Sequence, residues 1–219
     1  MRIPEEKAKP PVEPAPRLYP DGATVAILGS GPSLTQADVD LLRGRVDGVV
    51  AVNDSYRLCP WATVLYAGDR HWWKWHKGAP GFAGRKFSIS STVYPDVQVL
   101  KRGPETGLSM SPDTLALGRN SVYQAMNLAV HFGATSIILL GVDLQGTHFF
   151  GLHPDGSKPP FDLCRQRFAT LVQPLAQLGI EVVNCSRVTT LRCFARRTLE
   201  DVLDVTYVSD TDASRSVSA

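Results

Sequence analysis

Short apolar runs in this sequence end on small or polar residues of the kind that hold phosphates. VAIL at 25–28 breaks into Gly29, Ser30, Gly31 and Ser33, within the stretch VAILGSGPSL. GVVAV at 48–52 ends on Asn53 and Asp54, TVLYA at 63–67 is followed by Asp69, and SIILLGV at 136–142 stops at Asp143. Glycines at such a break leave no Cβ in a ligand's way and set backbone N–H groups at the mouth of the next helix, where phosphates bind. Gly31→Val is therefore expected to weaken nucleotide binding far more than folding. Asn120 and Ser121 open a further helical stretch, where both can cap the first turn and present donors to an anion. GSGPSL lacks the third glycine of the dinucleotide fingerprint and the Lys-Ser/Thr of a P-loop. The competing reading is a plain Gly-Pro turn with no ligand.

Proton transfer has its candidates in the stretch 144–160, where Thr147, His148, His153, Asp155 and Lys158 crowd together. Loops carried on a rigid sheet are where catalytic groups collect, and histidine suits proton transfer near neutral pH. A lone loop histidine is more often simply exposed. DRHWWKWHK at 69–77 interleaves aromatic and basic side chains, which can stack bases and hold phosphates. Tryptophans on one helical face more often close a core, and that reading is preferred here. His71 and His76 are five apart, not at the i, i+4 spacing of a helical metal pair, and no metal site is expected there. Asp38-Val39-Asp40 spells a metal-binding DxD pattern but falls on a helix, where a solvated face is expected.

These residues need a frame to position them. At 219 residues with a formal net charge of +2 and a pI near 8.4, the chain fits one α/β domain and permits a polyanionic partner without demanding one. The cysteines show no CxxC pair, and neither a secretory leader nor an apolar run long enough to span a bilayer is present, so a reduced, cytoplasmic setting is expected. Residues 1–21, rich in proline and charge, read as a flexible arm outside the core; 22–205 read as the domain and 206–219 as a disordered tail. Apolar strands alternate with helical periodicity at 36–43, 120–132 and 161–178, the last with a kink expected at Pro174. Residues 101–119 would be a long, functional loop. The alternation predicts a doubly wound, mainly parallel, Rossmann-like sheet with helices on both faces. Its carboxyl edge would then gather the turn at 29–33, Asn53, Asp69, Asp143 and the histidine loop into one cleft.

The segments GSGPSL (29–34), AVNDSYRL (51–58), YAGD (66–69), NSVYQAMNLAVHFGATSIILLGVD (120–143) and HFFGLH (148–153) occur in an order that resembles the MptE-like domain family. That family includes archaeal-type 6-hydroxymethylpterin diphosphokinases and phage-borne relatives. The order is similar also to the bacterial CMP-sialic-acid-dependent sialyltransferases of the Campylobacter type. The resemblance covers roughly residues 24–203. It implies that Gly29, Ser30, Gly31 and Ser33 approach nucleotide phosphates or ribose, that Asn53 holds the nucleotide, and that Asn120, Ser121 and Asp143 line the same site. It implies as well that His153 is the general base, with His148 the alternative, because Leu152 lengthens the sialyltransferase H-x-x-G-H spacing by one residue. Phe149 and Phe150 offer no hydrogen bond to a leaving phosphate, which leaves Lys158, His148 or a metal to neutralise it.

The leading expectation is a glycosyltransferase that takes a nucleotide sugar as donor and an acceptor hydroxyl. The alternatives are a diphosphokinase, with Mg²⁺ held by Asp69 or Asp143 against ATP, and a nucleotide-binding module without catalysis. The phage-like resemblance, the segment 70–77 and arginines 187, 192, 196 and 197 raise hydroxymethylated bases in DNA as an acceptor.

Overall fold

The computed structural model describes residues 12–152, 154–156 and 159–204. Its centre is an eight-stranded, wholly parallel sheet in the order β10-β9-β8-β1-β2-β3-β4-β5. In chain order these strands are β1 (Ala23–Leu28), β2 (Gly48–Val52), β3 (Val64–Tyr66), β4 (Arg85–Ser88), β5 (Val97–Val99), β8 (Ala134–Leu140), β9 (Glu181–Asn184) and β10 (Ala195–Arg196), with a small parallel pair β6 (Lys101–Arg102) and β7 (Thr114–Leu115) to one side. The helices are α1 (Gln36–Leu42), α2 (Arg70–Trp75), α3 (Ser121–Phe132), α4 (Phe161–Ala169), α5 (Val172–Gln177) and α6 (Leu199–Val202). Among the described residues no helix is long and apolar enough to cross a membrane.

The central strands are apolar except near the starts of β1 and β8, at Thr24, Thr135 and Ser136, because helices cover both faces. Successive side chains point to opposite faces. Val25 and Ile27 of β1 join Val50, Val52, Ile137 and Leu139 beneath α3, α4 and α5. Ala26 and Leu28 join Val49, Ala51, Ile138 and Leu140 beneath α1, α2 and α6. The chain leaves β1 through α1 towards β2 and returns through α3 to β8 on the other side of β1. The order of winding therefore reverses between β1 and β8, and a crevice opens at their carboxyl ends, the place where such sheets take ligands.

Local signals set the helix ends. Thr35 and Asp38 form a capping box at α1, the Asn120 side chain accepts the N–H groups of Val122 and Tyr123 at α3, and Gly133 ends α3 with φ of 101°. The stretch 161–178 is two helices and not one kinked helix. Pro174 lies in the first turn of α5, where its missing N–H costs little, and the break falls earlier, at Thr170 and Leu171, since proline cannot serve the carbonyl four residues back.

Parts of the chain depart from expectation. The described part of the arm belongs to the core: Ala15 and Tyr19 are buried, the Tyr19 hydroxyl hydrogen-bonds Thr63 at 2.7 Å, and the Leu18 and Tyr19 N–H groups donate to the Phe132 carbonyl. A proline-rich composition hides this, because its contacts come from backbone groups and one aromatic ring. Asp38, expected on a solvated face, is buried and takes the Arg187 guanidinium at 2.6 Å. The segment 69–77 is structural at its tryptophans: Trp72 and Trp73 are buried, and the Trp72 indole donates to Asp54 at 2.8 Å.

Asp54 anchors this face. Its carboxylate faces His76 at 3.5 Å and Arg57 at 3.3 Å, while the His76 ring stacks on Trp72. Burial alone would raise its pKa, but hydrogen bonds from His76 and Trp72 and the charges of His76 and Arg57 outweigh that and hold it below the usual carboxylate value. A lowered folded-state pKa stabilises the fold above the ordinary carboxylate pKa and loses that contribution as pH falls through the folded value. Asp54→Asn is expected to lower the unfolding free energy at pH 7 by about 1–3 kcal/mol, with the gap to wild type closing in acid below pH 3.8. Urea unfolding across pH checks this, and a gap independent of pH contradicts it.

Candidate functional site

The tightest feature of the carboxyl edge is the contact between the chain leaving β1 and the chain leaving β8. The strand pairing continues past both strands, as the Gly29 N–H donates to the Leu140 carbonyl and the Gly31 N–H to the Gly141 carbonyl, each at 2.8 Å. A Cβ on Gly29 would stand 2.4 Å from the Gly141 oxygen, and one on Gly31 would stand 2.4 Å from the Asp143 Cγ. The glycines are required here by space between backbones.

Asp143 locks this contact. One carboxylate oxygen accepts the Ser33 hydroxyl at 2.5 Å and the other accepts the Ser33 N–H at 2.9 Å. Burial raises the Asp143 pKa, and the Ser33 hydrogen bonds only partly offset it. Ser33 is thus turned to Asp143 as a buttress and Gly29 lies behind the cleft wall, so neither lines the cleft.

The cleft itself is walled by Ser30, Gly31, Asn53, Asn120, Ser121, Asp143 and His148, with Val52, Val142, Gln145 and Phe161 among the other lining residues, around a volume of about 70 Å³. Residues scattered over more than a hundred positions of sequence therefore meet at one place. Each is fixed by its own support. The Ser30 hydroxyl donates to the Val52 carbonyl. Asn53 adopts φ of 54°, a conformation asparagine tolerates, and begins a 3₁₀ turn, Asn53–Arg57, in which the Ser55 hydroxyl accepts from the Val52 N–H and donates to the Leu28 carbonyl. Asn120 spends its side-chain oxygen capping α3, which leaves Ser121 as the first helical residue at the cleft.

His148 reaches the cleft through a tight turn. The N–H groups of His148 and Gly151 donate to each other's carbonyls, and the Phe149 N–H donates to the Ser30 carbonyl at 3.0 Å. The loop that follows β8 is thereby tied to the turn that follows β1. His153 and Lys158 lie outside the described residues. Asp69 is placed not in this cleft but in an adjoining recess that shares Asn120 and Ser121 with it, and its carboxylate caps α2 by accepting the His71 N–H at 2.8 Å. Among the described residues no three His, Cys, Asp or Glu side chains come together as metal ligands.

Sequence reasoning passed over the residues that hold the exit of β8. The Ser186 hydroxyl accepts the Val142 N–H, Thr189 donates to the Val142 carbonyl, and the Thr190 hydroxyl donates to the Leu144 carbonyl, which also receives Arg165. Leu144, with φ of 49°, is strained for a leucine and is held by these bonds. The signal was present as SRVTT after the last long strand, a run of hydroxyl side chains at a carboxyl edge. Three of the four arginines of that region are engaged internally: Arg187 with Asp38, Arg196 with the Ser186 carbonyl and Arg197 with the Asp201 carbonyl.

No family model, curated protein or solved structure matches the chain. The functional reading rests on the chain's own geometry and on the ordered motifs of its sequence.

The expectation that Gly31→Val spares the fold is corrected by this arrangement, since the added atoms meet Asp143 and Gly141 before any ligand. Gly31→Ala is expected to cost about 1–3 kcal/mol of stability, the usual cost of overpacking. Ser33→Ala should cost a similar amount, about 1–3 kcal/mol, by leaving a buried carboxylate short of a donor. Denaturant unfolding at pH 7 measures both, and wild-type stability in either variant contradicts the lock.

Proposed function

We propose that the chain is a nucleotide-sugar-dependent glycosyltransferase whose donor binds in the cleft at the carboxyl ends of β1, β2 and β8. The single observation that carries this is the meeting of Ser30, Gly31, Asn53, Ser121 and His148 around one cleft at the reversal of winding. A nucleotide's phosphates suit the start of α3 at Ser121 and the turn at 30–31, where small residues line the cleft and leave a phosphate room beside the positive end of the helix. The resemblance of the ordered motifs to the sialyltransferases supports the same assignment.

In this reading a loop histidine accepts the proton of the acceptor hydroxyl as that oxygen bonds to the anomeric carbon. The bond from the anomeric carbon to the phosphate oxygen breaks, and the nucleoside phosphate departs with the electron pair. His148 is the histidine with a place in the cleft, and His153 is the partner candidate from the same loop. Asp143 lines the cleft and braces the turn after β1 through Ser33, so its part is positional.

The diphosphokinase reading asks carboxylates to hold Mg²⁺ against the phosphates of ATP. Asp143 and Asp69 line separate recesses, and each already accepts hydrogen bonds, Asp143 from Ser33 of the turn after β1 and Asp69 from the His71 N–H, which favours the glycosyltransferase. Hydroxymethylated DNA remains an acceptor to be tried.

Turnover of a nucleotide-sugar panel, with and without EDTA, tests the proposal. The rate is expected to rise with pH through the histidine range, near an unperturbed midpoint of about 6.5. His148→Ala is expected to lower it by roughly 10²- to 10⁴-fold, the share of a general base, while nucleotide binding survives. His153→Ala is measured alongside, and a loss confined to it moves the base to that residue. ATP turnover that EDTA and Asp69→Asn abolish but neither histidine change does would assign the diphosphokinase chemistry instead.

A further inference from the structure

The open recess that adjoins the cleft is lined by Asp69, Ser90, Arg102, Arg119, Ser121 and Gln124 and has a volume of about 440 Å³, against about 70 Å³ for the cleft. It lies beyond the carboxyl ends of β3 and β4 and meets the cleft at Asn120 and Ser121. Its charges are unequal in availability. Asp69 is engaged with His71, and Glu105, also on the wall, pairs with Arg167 at 3.2 Å. Arg102 and Arg119 have no carboxylate partner among the described residues, whereas the neighbouring Lys101 is paired with Asp113. Each carboxylate of this wall has a partner, and neither guanidinium has a carboxylate partner among the described residues.

Both arginines line this recess, and the stretch that carries them is held in place. Arg102 is on β6 and Arg119 ends the stretch that began there. That stretch is pinned by the pairing of Arg102 with Leu115 and by backbone bonds from Gly103 to Leu115 and from Leu117 to Pro104. Arg119 adopts φ of 59°, a left-handed conformation that costs about 1–3 kcal/mol in a residue of this kind. Guanidinium groups match the oxygens of a phosphate in paired hydrogen bonds.

We propose that this recess seats the acceptor and that Arg102 and Arg119 bind a phosphate group carried by it. The identification of the recess as the acceptor's seat rests on the donor reading of the adjoining cleft; the anion site itself does not. Two cations on one open recess fit a small phosphate ester, whereas a nucleic-acid strand is followed by a longer row of basic groups.

Glucose 6-phosphate, with glucose as the uncharged control, is titrated calorimetrically into the full chain, for wild type, Arg102→Gln and the Arg102→Gln/Arg119→Gln pair. Thermal shift by a nucleotide panel is read on the same proteins. The expected result is saturable binding of the phosphate ester and none of glucose, weakened about tenfold or more in the double variant, with the nucleotide shift unchanged. If the double variant does not fold, Arg102→Gln alone must show the weakening. Equal binding by wild type and variants, no saturable binding, or a nucleotide shift lost with the arginines overturns the proposal. If no nucleotide shifts any of the proteins while phosphate binding keeps its dependence on the arginines, the donor reading fails and the anion site stands. An oligonucleotide that binds through these arginines with a log–log salt slope well beyond ~1.4 in magnitude, the value for two phosphates on a single strand, assigns them to a nucleic-acid track and overturns the small acceptor.

Discussion

Everything at the carboxyl edge depends on how closely the chain leaving β1 runs beside the chain leaving β8. Gly29 and Gly31 extend the strand pairing past the sheet, to Leu140 and Gly141, and no side chain fits at either position. The approach brings the Asp143 carboxylate over Ser33, where a hydroxyl and an N–H satisfy it in a buried setting. Charge-assisted hydrogen bonds of this kind are roughly twice as strong as neutral ones, which lets a carboxylate remain where burial alone would neutralise it. The reversal of winding at β1 and β8 opens a crevice, and this lock decides its floor.

The walls are then hung from that floor. Phe149 bonds to Ser30, so the loop after β8 cannot move without the turn after β1. Ser186, Thr189 and Thr190 fasten the far side of the β8 exit from the loop after β9. On the opposite face, Ser55 bonds to both Val52 and Leu28 and holds Asn53 in its left-handed conformation. Strained residues at the edge, Asn53, Leu144 and Arg119, are each carried by a neighbouring ladder or hydroxyl, which is how a fold keeps unfavourable backbone angles at a site. The same edge offers two recesses that meet at the start of α3, one against the glycine turn and one against Arg102 and Arg119, which have no carboxylate partner among the described residues. A transfer reaction needs two adjoining seats of this kind.

The sequence made the frame legible because buried parallel strands have a simple signature: uniformly apolar runs with polar residues at their carboxyl ends. The strands around β1, the capping of α1 and α3 and the closing Gly133 follow from local chemistry. Ser30, Gly31, Asn53, Asn120, Ser121, Asp143 and His148 were legible as a group for the same reason, since strand ends in a parallel sheet share an edge. What was not legible depended on contacts between distant segments. The burial of Tyr19, the pairing of Asp38 with Arg187 and the turning of Ser33 towards Asp143 are set by partners more than 40 positions away, and composition carries no trace of them. Asp69 ends its strand like the others, yet capping α2 at β3 displaces it into the second recess.

The central claim is that the nucleotide lies across the reversal of winding, on the turn after β1 and the start of α3. Amide NMR of the full chain titrated with nucleotides tests it most directly. The account predicts saturable shifts at Ser30, Gly31, Asn53, Ser121 and Val122, with the amides near Arg187 and Glu200 unmoved. Saturable shifts confined to the surface around Arg187, Arg196 and Arg197, with the glycine turn and the start of α3 silent, would contradict it.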